Sequence, residues 1–265
     1  MRVIPRHQKD HLLSIREQLV DSCEICGGAG YVINEGLDVP CECMKLFRYV
    51  KELVIAAIPE TYWELSLEKL VVNQAYKDFI SFYLDNLKRA HAGGLGVLFL
   101  GTNGVGKTAM MCEIGKSAVA QGYSVKYFTI QQYVDLTIKF GTESNSFVQL
   151  HDMLLVDELD KAYMKEGSSF VPKIVEHLFR STIPYGKMVI AATNESEEGL
   201  KDLFGESTLS MVHRNLKFVP VSGIDYSENL QKGWKKRLLH TVDFKNEHLI
   251  ELARQYRQGS SRANY

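Results

Sequence analysis

Eight consecutive residues, Gly101-Thr102-Asn103-Gly104-Val105-Gly106-Lys107-Thr108, carry the densest chemical information in this sequence. They fit the pattern G-x-x-x-x-G-K-[ST], in which glycines let successive backbone N–H groups converge on a chain of phosphates. Lys107 is then the cation for the β- and γ-phosphates, and Thr108 the hydroxyl offered to Mg2+. Such a loop requires a strand before it and a helix after it. The apolar run GVLFL (96–100) and the helical stretch that begins at Lys107 supply both. The implied ligand is ATP or GTP.

Two later segments add the groups that a bound nucleotide needs for reaction. The apolar run MLLVD (153–157) is followed by Glu158, which puts adjacent carboxylates at the carboxyl end of a strand, where open α/β sheets bind ligands. Asp157 suits the Mg2+ shell, and Glu158 suits the orientation and deprotonation of an attacking water. Water as acceptor favours ATP hydrolysis over a metabolic kinase; the alternative is a plain acidic strand end. The run MVIAAT (188–193) ends in Asn194, an uncharged amide able to hydrogen-bond the lytic water or the γ-phosphate.

Four cysteines make a third cluster, spaced Cys23-x2-Cys26-x14-Cys41-x-Cys43, with Gly27, Gly28 and Gly30 after the first pair. Four thiolates form a closed tetrahedral set for a structural Zn2+, and the glycines let backbone amides fold toward the sulfurs. A redox pair and unliganded thiols are the other readings. The fifth cysteine, Cys112, lies on the helix behind the phosphate loop and reads as a packed core thiol.

The elements that position these groups follow from periodicity. Short apolar runs at 96–100, 123–128, 153–157, 188–193 and 217–221 alternate with helical stretches, the pattern of a parallel sheet with crossover helices. Ahead of them, Asn73 opens an amphipathic helix on Tyr76, Phe79, Ile80, Tyr83, Leu84 and Leu87, closed by Gly93-Gly94. The N-terminal part reads as a polar helix (His7–Leu19), the cysteine knuckle, and a helix over 44–58 ended by Pro59. After Pro220, Tyr226–Leu239 and Asn246–Gln258 read as two helices.

The chain has 265 residues, 45% hydrophobic and 24% charged, which suits a folded globular protein and excludes disordered or repeat classes. No apolar run approaches the about 20 residues of a membrane span, and the start MRVIPRHQKDHLL has no stretch that would act as a signal peptide, so a cytoplasmic protein is expected. Net charge is −1, which excludes polyanion binding by bulk attraction. From Gln231 onward, however, eight Lys/Arg face three acids, so nucleic-acid affinity would be local. A solvated helix face explains the same charges. Stacking partners for a single strand would come from Tyr127, Phe128 and Tyr133 beside Lys139, residues that fit a role in the core or on the surface equally well.

Phosphate loop, Asp157-Glu158 strand and Asn194-tipped strand, in this order, resemble the AAA+ ATPases. The knuckle, the Ile58-Pro-Glu-Thr-Tyr stretch and the flanks of the loop resemble in particular the DnaC/DnaI/IstB group of helicase loaders and transposition helpers, over roughly residues 20–225. The resemblance implies an arginine that reaches the neighbouring subunit's γ-phosphate, best matched by Arg214 in LSMVHRNLKFVPV, and hence an ATP-dependent homo-oligomer. It also implies a lid arginine, matched by Arg262 in Gly259-Ser-Ser-Arg262; a generic basic tail is the alternative. Ser210-Met211 stands where loaders commonly show Ser-Arg.

The fold expected is therefore α/β: an AAA+ P-loop core with a five-stranded parallel sheet at 57–222, an N-terminal zinc-binding partner unit at 1–56, and a helical lid-like segment at 223–265. The resemblance implies an ATPase that delivers a replicative ring helicase onto single-stranded DNA. Rival readings are an IstB-like helper of a transposase and a nucleotide-sensing zinc adaptor with little turnover.

Overall fold

The computed structural model of the protein describes residues 5–141, 144–161, 170–225 and 241–260. The expected helix at 226–239 and Arg262 lie outside these residues. In chain order the elements are α1 (Arg6–Arg16), β1 (Tyr31–Asn34), β2 (Leu37–Pro40), α2 (Glu42–Ala56), α3 (Gln74–Asp85), α4 (Leu87–Ala92), β3 (Gly96–Leu100), α5 (Lys107–Ala120), β4 (Val125–Thr129), α6 (Ile130–Phe140), α7 (Ser144–Gln149), β5 (Met153–Asp157), α8 (Phe170–Thr182), β6 (Met188–Thr193), α9 (Glu197–Phe204), α10 (Glu206–Asn215), β7 (Leu216–Pro220) and α11 (Glu247–Ser260). They fall into two compact units: residues within 1–65, 116–123 and 241–265, and residues within 66–115 and 124–240.

In the first unit, α1 stops at Arg16 and passes into a π-helical turn, Glu17–Asp21, which ends just before the first cysteine pair. A hairpin of β1 and β2, unforeseen from sequence, separates the two pairs. Its turn is Glu35-Gly36, both with positive φ (51° and 79°), the geometry of a tight hairpin turn built with a residue that rarely signals one. Helix α2 buries Leu46, Tyr49, Val50, Leu53 and Val54 on one face. It stops at Ala56 because Ala57 turns left-handed (φ 58°) and Ile58, the residue before Pro59, sends its N–H back to Leu53 O at 3.2 Å. Trp63, 1% exposed, then donates its indole N–H to Ile58 O at 2.8 Å. Helix α11 packs on α2, with Tyr256 and Tyr49 ring centroids 6.1 Å apart and Arg254 3.7 Å from Glu42.

The second unit is built on a parallel sheet in the order β4-β5-β6-β3-β7. Strands β3, β5 and β6 are buried along their whole length, as central strands covered on both faces must be, whereas the edge strands β4 and β7 are buried only in part. Three of the five apolar runs become strands at the expected residues. Strand β4 starts later than expected because Tyr123 completes the end of α5: its N–H bonds Ala118 O at 3.0 Å behind the left-handed Gly122. Strand β7 spans Leu216–Pro220, one residue earlier than expected.

One hydrophobic core joins Leu98, Leu154, Val156, Val189 and Ala191 of the sheet to Tyr133 and Val134 of α6, Ile174 and Leu178 of α8, and Leu200 of α9. Burying each such aliphatic side chain stabilises the fold by about 1.5–3 kcal/mol. Three helices of the second unit are capped locally. Asn73 Oδ1 accepts from Ala75 N (3.0 Å) at α3, Thr129 and Gln132 form a reciprocal capping box at α6, and Ser196 Oγ accepts from Gly199 N (3.1 Å) at α9. Cys112 is fully buried, as expected of a packing thiol.

Candidate functional site

Sheet register brings the reactive segments together. Leu100 pairs with Thr193, and Thr129 with Asp157, so the carboxyl ends of β3, β6, β5 and β4 finish at one edge of the second unit. Gly101 and Asn194 are the next residues on adjacent strands. The loop from Gly101 turns back with Gly104 and Gly106 left-handed (φ 78° and 94°) and feeds α5 at Lys107. Gly101 has no room for a side chain, because a Cβ there would overlap the backbone Val221 O.

Lys107, 7% exposed, lies inside this edge. Its Nζ donates to Gly101 O (2.7 Å), Thr102 O (2.6 Å) and Asn194 Oδ1 (3.0 Å). Burial pulls its pKa below the ordinary lysine value, and the nearby carboxylates of Asp160 and Asp157 offset part of that effect. Thr108 Oγ1 donates to Asp157 Oδ2 at 3.0 Å, so the hydroxyl and carboxylate assigned to Mg2+ from sequence are in contact. Both are oxygen donors, which fits a hard dication.

Asp157 accepts two further bonds. Its Oδ2 takes the Tyr127 hydroxyl at 2.9 Å, and its Oδ1 takes Glu158 N at 2.9 Å. Tyr127 therefore belongs to the phosphate-loop edge, not to a separate stacking surface. Phe128 and Tyr133, 3% and 1% exposed, are core side chains that offer no face to a nucleic-acid strand. Lys139 is exposed, with its Nζ 5.1 Å from the Phe140 ring centroid.

Glu158 is one of three non-glycine residues with positive φ among those described (53°), a conformation that costs about 1–3 kcal/mol and clusters at functional sites. Leu159 N, bonded to Ala192 O at 3.0 Å, fixes the turn that follows. The Glu158 carboxylate is half-exposed and takes the Lys161 ammonium at 2.7 Å. Asn194 meets Asp160, a residue that the sequence reading passed over. Asp160 Oδ1 accepts from Thr193 Oγ1 (3.0 Å) and Asn194 N (2.8 Å), and its Oδ2 accepts from Asn194 Nδ2 (3.0 Å). Burial opposes ionisation of Asp160, but these bonds outweigh it and hold the carboxyl below its ordinary pKa. The available signal was the third acid of Asp157-Glu-Leu-Asp160.

Arg214 stands apart. It is exposed on α10, and its guanidinium lies 3.5 Å from Ser210 Oγ; among the described residues no hydrogen bond or ion pair joins it to the phosphate loop.

In the first unit the four sulfurs of Cys23, Cys26, Cys41 and Cys43 all lie within 4.8 Å of one another, with Cys23–Cys41 at 3.9 Å and Cys26–Cys43 at 3.5 Å. Four thiolates at about 2.3 Å from one Zn2+ stand about 3.8 Å apart, so the donor set fits that ion. The close Cys-x-Cys spacing works because Cys41 is the residue before α2 and Cys43 lies in its first turn. Gly30 N donates to Cys26 Sγ at 3.2 Å, and the hairpin returns through Cys41 N to Gly30 O at 3.0 Å. Burial raises the thiols of Cys41 and Cys43. At Cys26 burial acts the same way, but the Gly30 amide and neighbouring thiols win and bring it to about 7.

A glycine-rich loop between a buried strand and a helix, facing an acid-tipped and an amide-tipped strand of one parallel sheet, defines a P-loop nucleotide-binding domain. Residues 97–211 match the AAA family, ATPase family associated with various cellular activities, a stretch that holds the phosphate loop, Asp157-Glu158 and Asn194. No curated protein matches the sequence. Solved structures share the fold: the DnaC helicase loader (18% identity, 62% of this chain and 100% of that one, TM-score 0.53) and DnaI (14%, 63% and 93%, 0.50). The replication initiator DnaA bound to AMPPCP and single-stranded DNA is a third (17%, 76% and 65%, 0.50). No helix among the described residues is long and apolar enough to cross a membrane.

Replacing Lys107 by alanine removes the buried ammonium and leaves three oxygens without their donor. A charged hydrogen bond contributes about 1.5–3 kcal/mol, so ATP affinity is expected to fall by about 100-fold, read by titration with a fluorescent ATP analogue.

Proposed function

We propose that this protein is an ATP-dependent loader that delivers a replicative ring helicase onto single-stranded DNA during DNA replication. The reading is carried by one observation: a chain with a whole phosphate-loop cluster of Lys107, Thr108, Asp157 and Asn194 also holds a separate four-cysteine unit. The fold shared with the DnaC helicase loader supports it. Residues 1–56 would be the zinc-bearing handle for the helicase, 57–222 the ATPase core, and 223–265 a lid-like segment. Cys23, Cys26, Cys41 and Cys43 would hold Zn2+ as a structural staple without an open position.

In the ATPase cycle the amides of Gly101–Thr108 receive the phosphates, and Lys107 turns from its carbonyl partners to the β- and γ-phosphate oxygens. Thr108 and Asp157 would hold Mg2+, which when bound neutralises charge on those oxygens. Glu158 leaves Lys161, orients water and takes its proton, while Asn194 fixes that water or the γ-phosphate. Arg214, free of the protomer's own phosphate loop, would act in trans on a neighbouring subunit's nucleotide, and Arg262 in cis, so that turnover requires assembly.

The test is light-scattering mass with and without ATP and Mg2+, alone and with the replicative helicase of the same source. The expected result is a complex of helicase mass plus several copies of this chain, formed with ATP. Retained ATP binding without helicase association would overturn the loader in favour of the transposase helper or the zinc adaptor.

A further inference from the structure

The carboxyl ends of β5 and β6 are joined by a side-chain relay that runs from Asp160 through Asn194 to Lys107. Asp160 accepts only, because its carboxyl is ionised; Lys107 donates only. Between them, Asn194 presents Nδ2 to Asp160 Oδ2 at 3.0 Å and Oδ1 to Lys107 Nζ at 3.0 Å. The two charged neighbours therefore fix which way the amide points, an assignment that is otherwise ambiguous for asparagine. Inverting the amide would set Oδ1 against a carboxylate and Nδ2 against an ammonium.

We propose that Asp160 is a positioning residue for ATP hydrolysis, locking the Asn194 amide so that it keeps one N–H and its Oδ1 in fixed places when Lys107 moves to the phosphates. The inference rests on the ATPase reading above and assigns Asp160 a role through Asn194, without contact to the nucleotide. Asp160 also anchors the strand end itself, since its Oδ1 holds Thr193 Oγ1 and Asn194 N. A test must therefore spare Oδ1. Asp160→Asn does so: it keeps one acceptor oxygen for those two donors and replaces only the oxygen that faces Asn194 with a donor. Asn194 then faces conflicting demands, because satisfying residue 160 turns its own Nδ2 toward Lys107.

For Asp160→Asn the expected result is a kcat about tenfold lower with ATP affinity unchanged within about threefold, the signature of a group that acts after binding. The exchanged pair, Asp160→Asn with Asn194→Asp, restores both hydrogen bonds: residue 160 now donates to residue 194, and Lys107 still donates to residue 194 as before. It should regain any melting temperature lost by the single variant but not its kcat, because residue 194 then has no N–H and carries a negative charge. Wild-type kcat in the single variant, or kcat restored by the exchanged pair, would overturn the proposal; so would a loss confined to ATP affinity. If the unaltered protein turns over no ATP, the ATPase reading fails by itself. The relay is then decided by the side-chain amide signals of Asn194 in a 15N-labelled sample: a shift on Asp160→Asn supports the lock, and unchanged signals refute it.

Discussion

Glu158→Gln is expected to reduce ATP hydrolysis by about 10²–10⁴-fold, the range attributed to a positioned general base, while ATP binding persists. The phosphate-binding groups do not pass through this side chain. Lys107 is held by Gly101 O, Thr102 O and Asn194 Oδ1, and Thr108 by Asp157. Glutamine has the size of glutamate, and it forfeits only the half-exposed pair with Lys161, where exposed ion pairs contribute about 0–1 kcal/mol. The fold and the left-handed turn at residue 158 should survive. Without a base, the protein should stay in its ATP-bound state, so any ATP-dependent assembly would accumulate. Phosphate release and nucleotide titration on the same sample read both halves; wild-type turnover would remove Glu158 from the role of base.

The second large effect is expected in the first unit. Replacing Cys23 and Cys26 by serine removes half of a four-sulfur set, and structural zinc contributes about 10–16 kcal/mol of binding free energy in small domains. Between the cysteine pairs lies only a two-stranded hairpin, whose Ile33 and Leu37 are exposed, so that segment has little core of its own to hold it. If the four cysteines hold zinc, the double variant should bind none and lose amide protection over residues 20–43, while the sheet of the second unit keeps its own. Zinc content and hydrogen exchange measure the two separately. Retained zinc would contradict a four-cysteine site.

The parallel sheet was legible because a central strand must be apolar on both faces, and GVLFL, MLLVD and MVIAAT are continuous runs of that kind. The phosphate loop was legible because its glycines and lysine stand at fixed spacing between a strand and a helix. What stayed hidden depended on pairings across the sheet. Tyr127 lies half-buried on an edge strand, and nothing local says that its hydroxyl meets Asp157. Asp160 looks like a solvated acid until β6 arrives beside it with two N–H donors and the Thr193 hydroxyl. The hairpin at 31–40 was missed because its turn uses Glu35-Gly36 in place of Asn-Gly or Asp-Gly.

The packing of α11 on α2 has a consequence for synthesis. Helix α2 ends at Ala56, and the helix that covers it begins at Glu247, with the entire sheet encoded in between. As the chain leaves the ribosome, the face bearing Tyr49 waits for its partner until the second unit has emerged, and contacts so distant in sequence form late. A fragment cut at residue 222 would retain every cysteine and the whole phosphate loop yet leave that face uncovered. Fragments meant to isolate the four-cysteine part should therefore carry residues 241–260 back to it, by fusion or by co-expression.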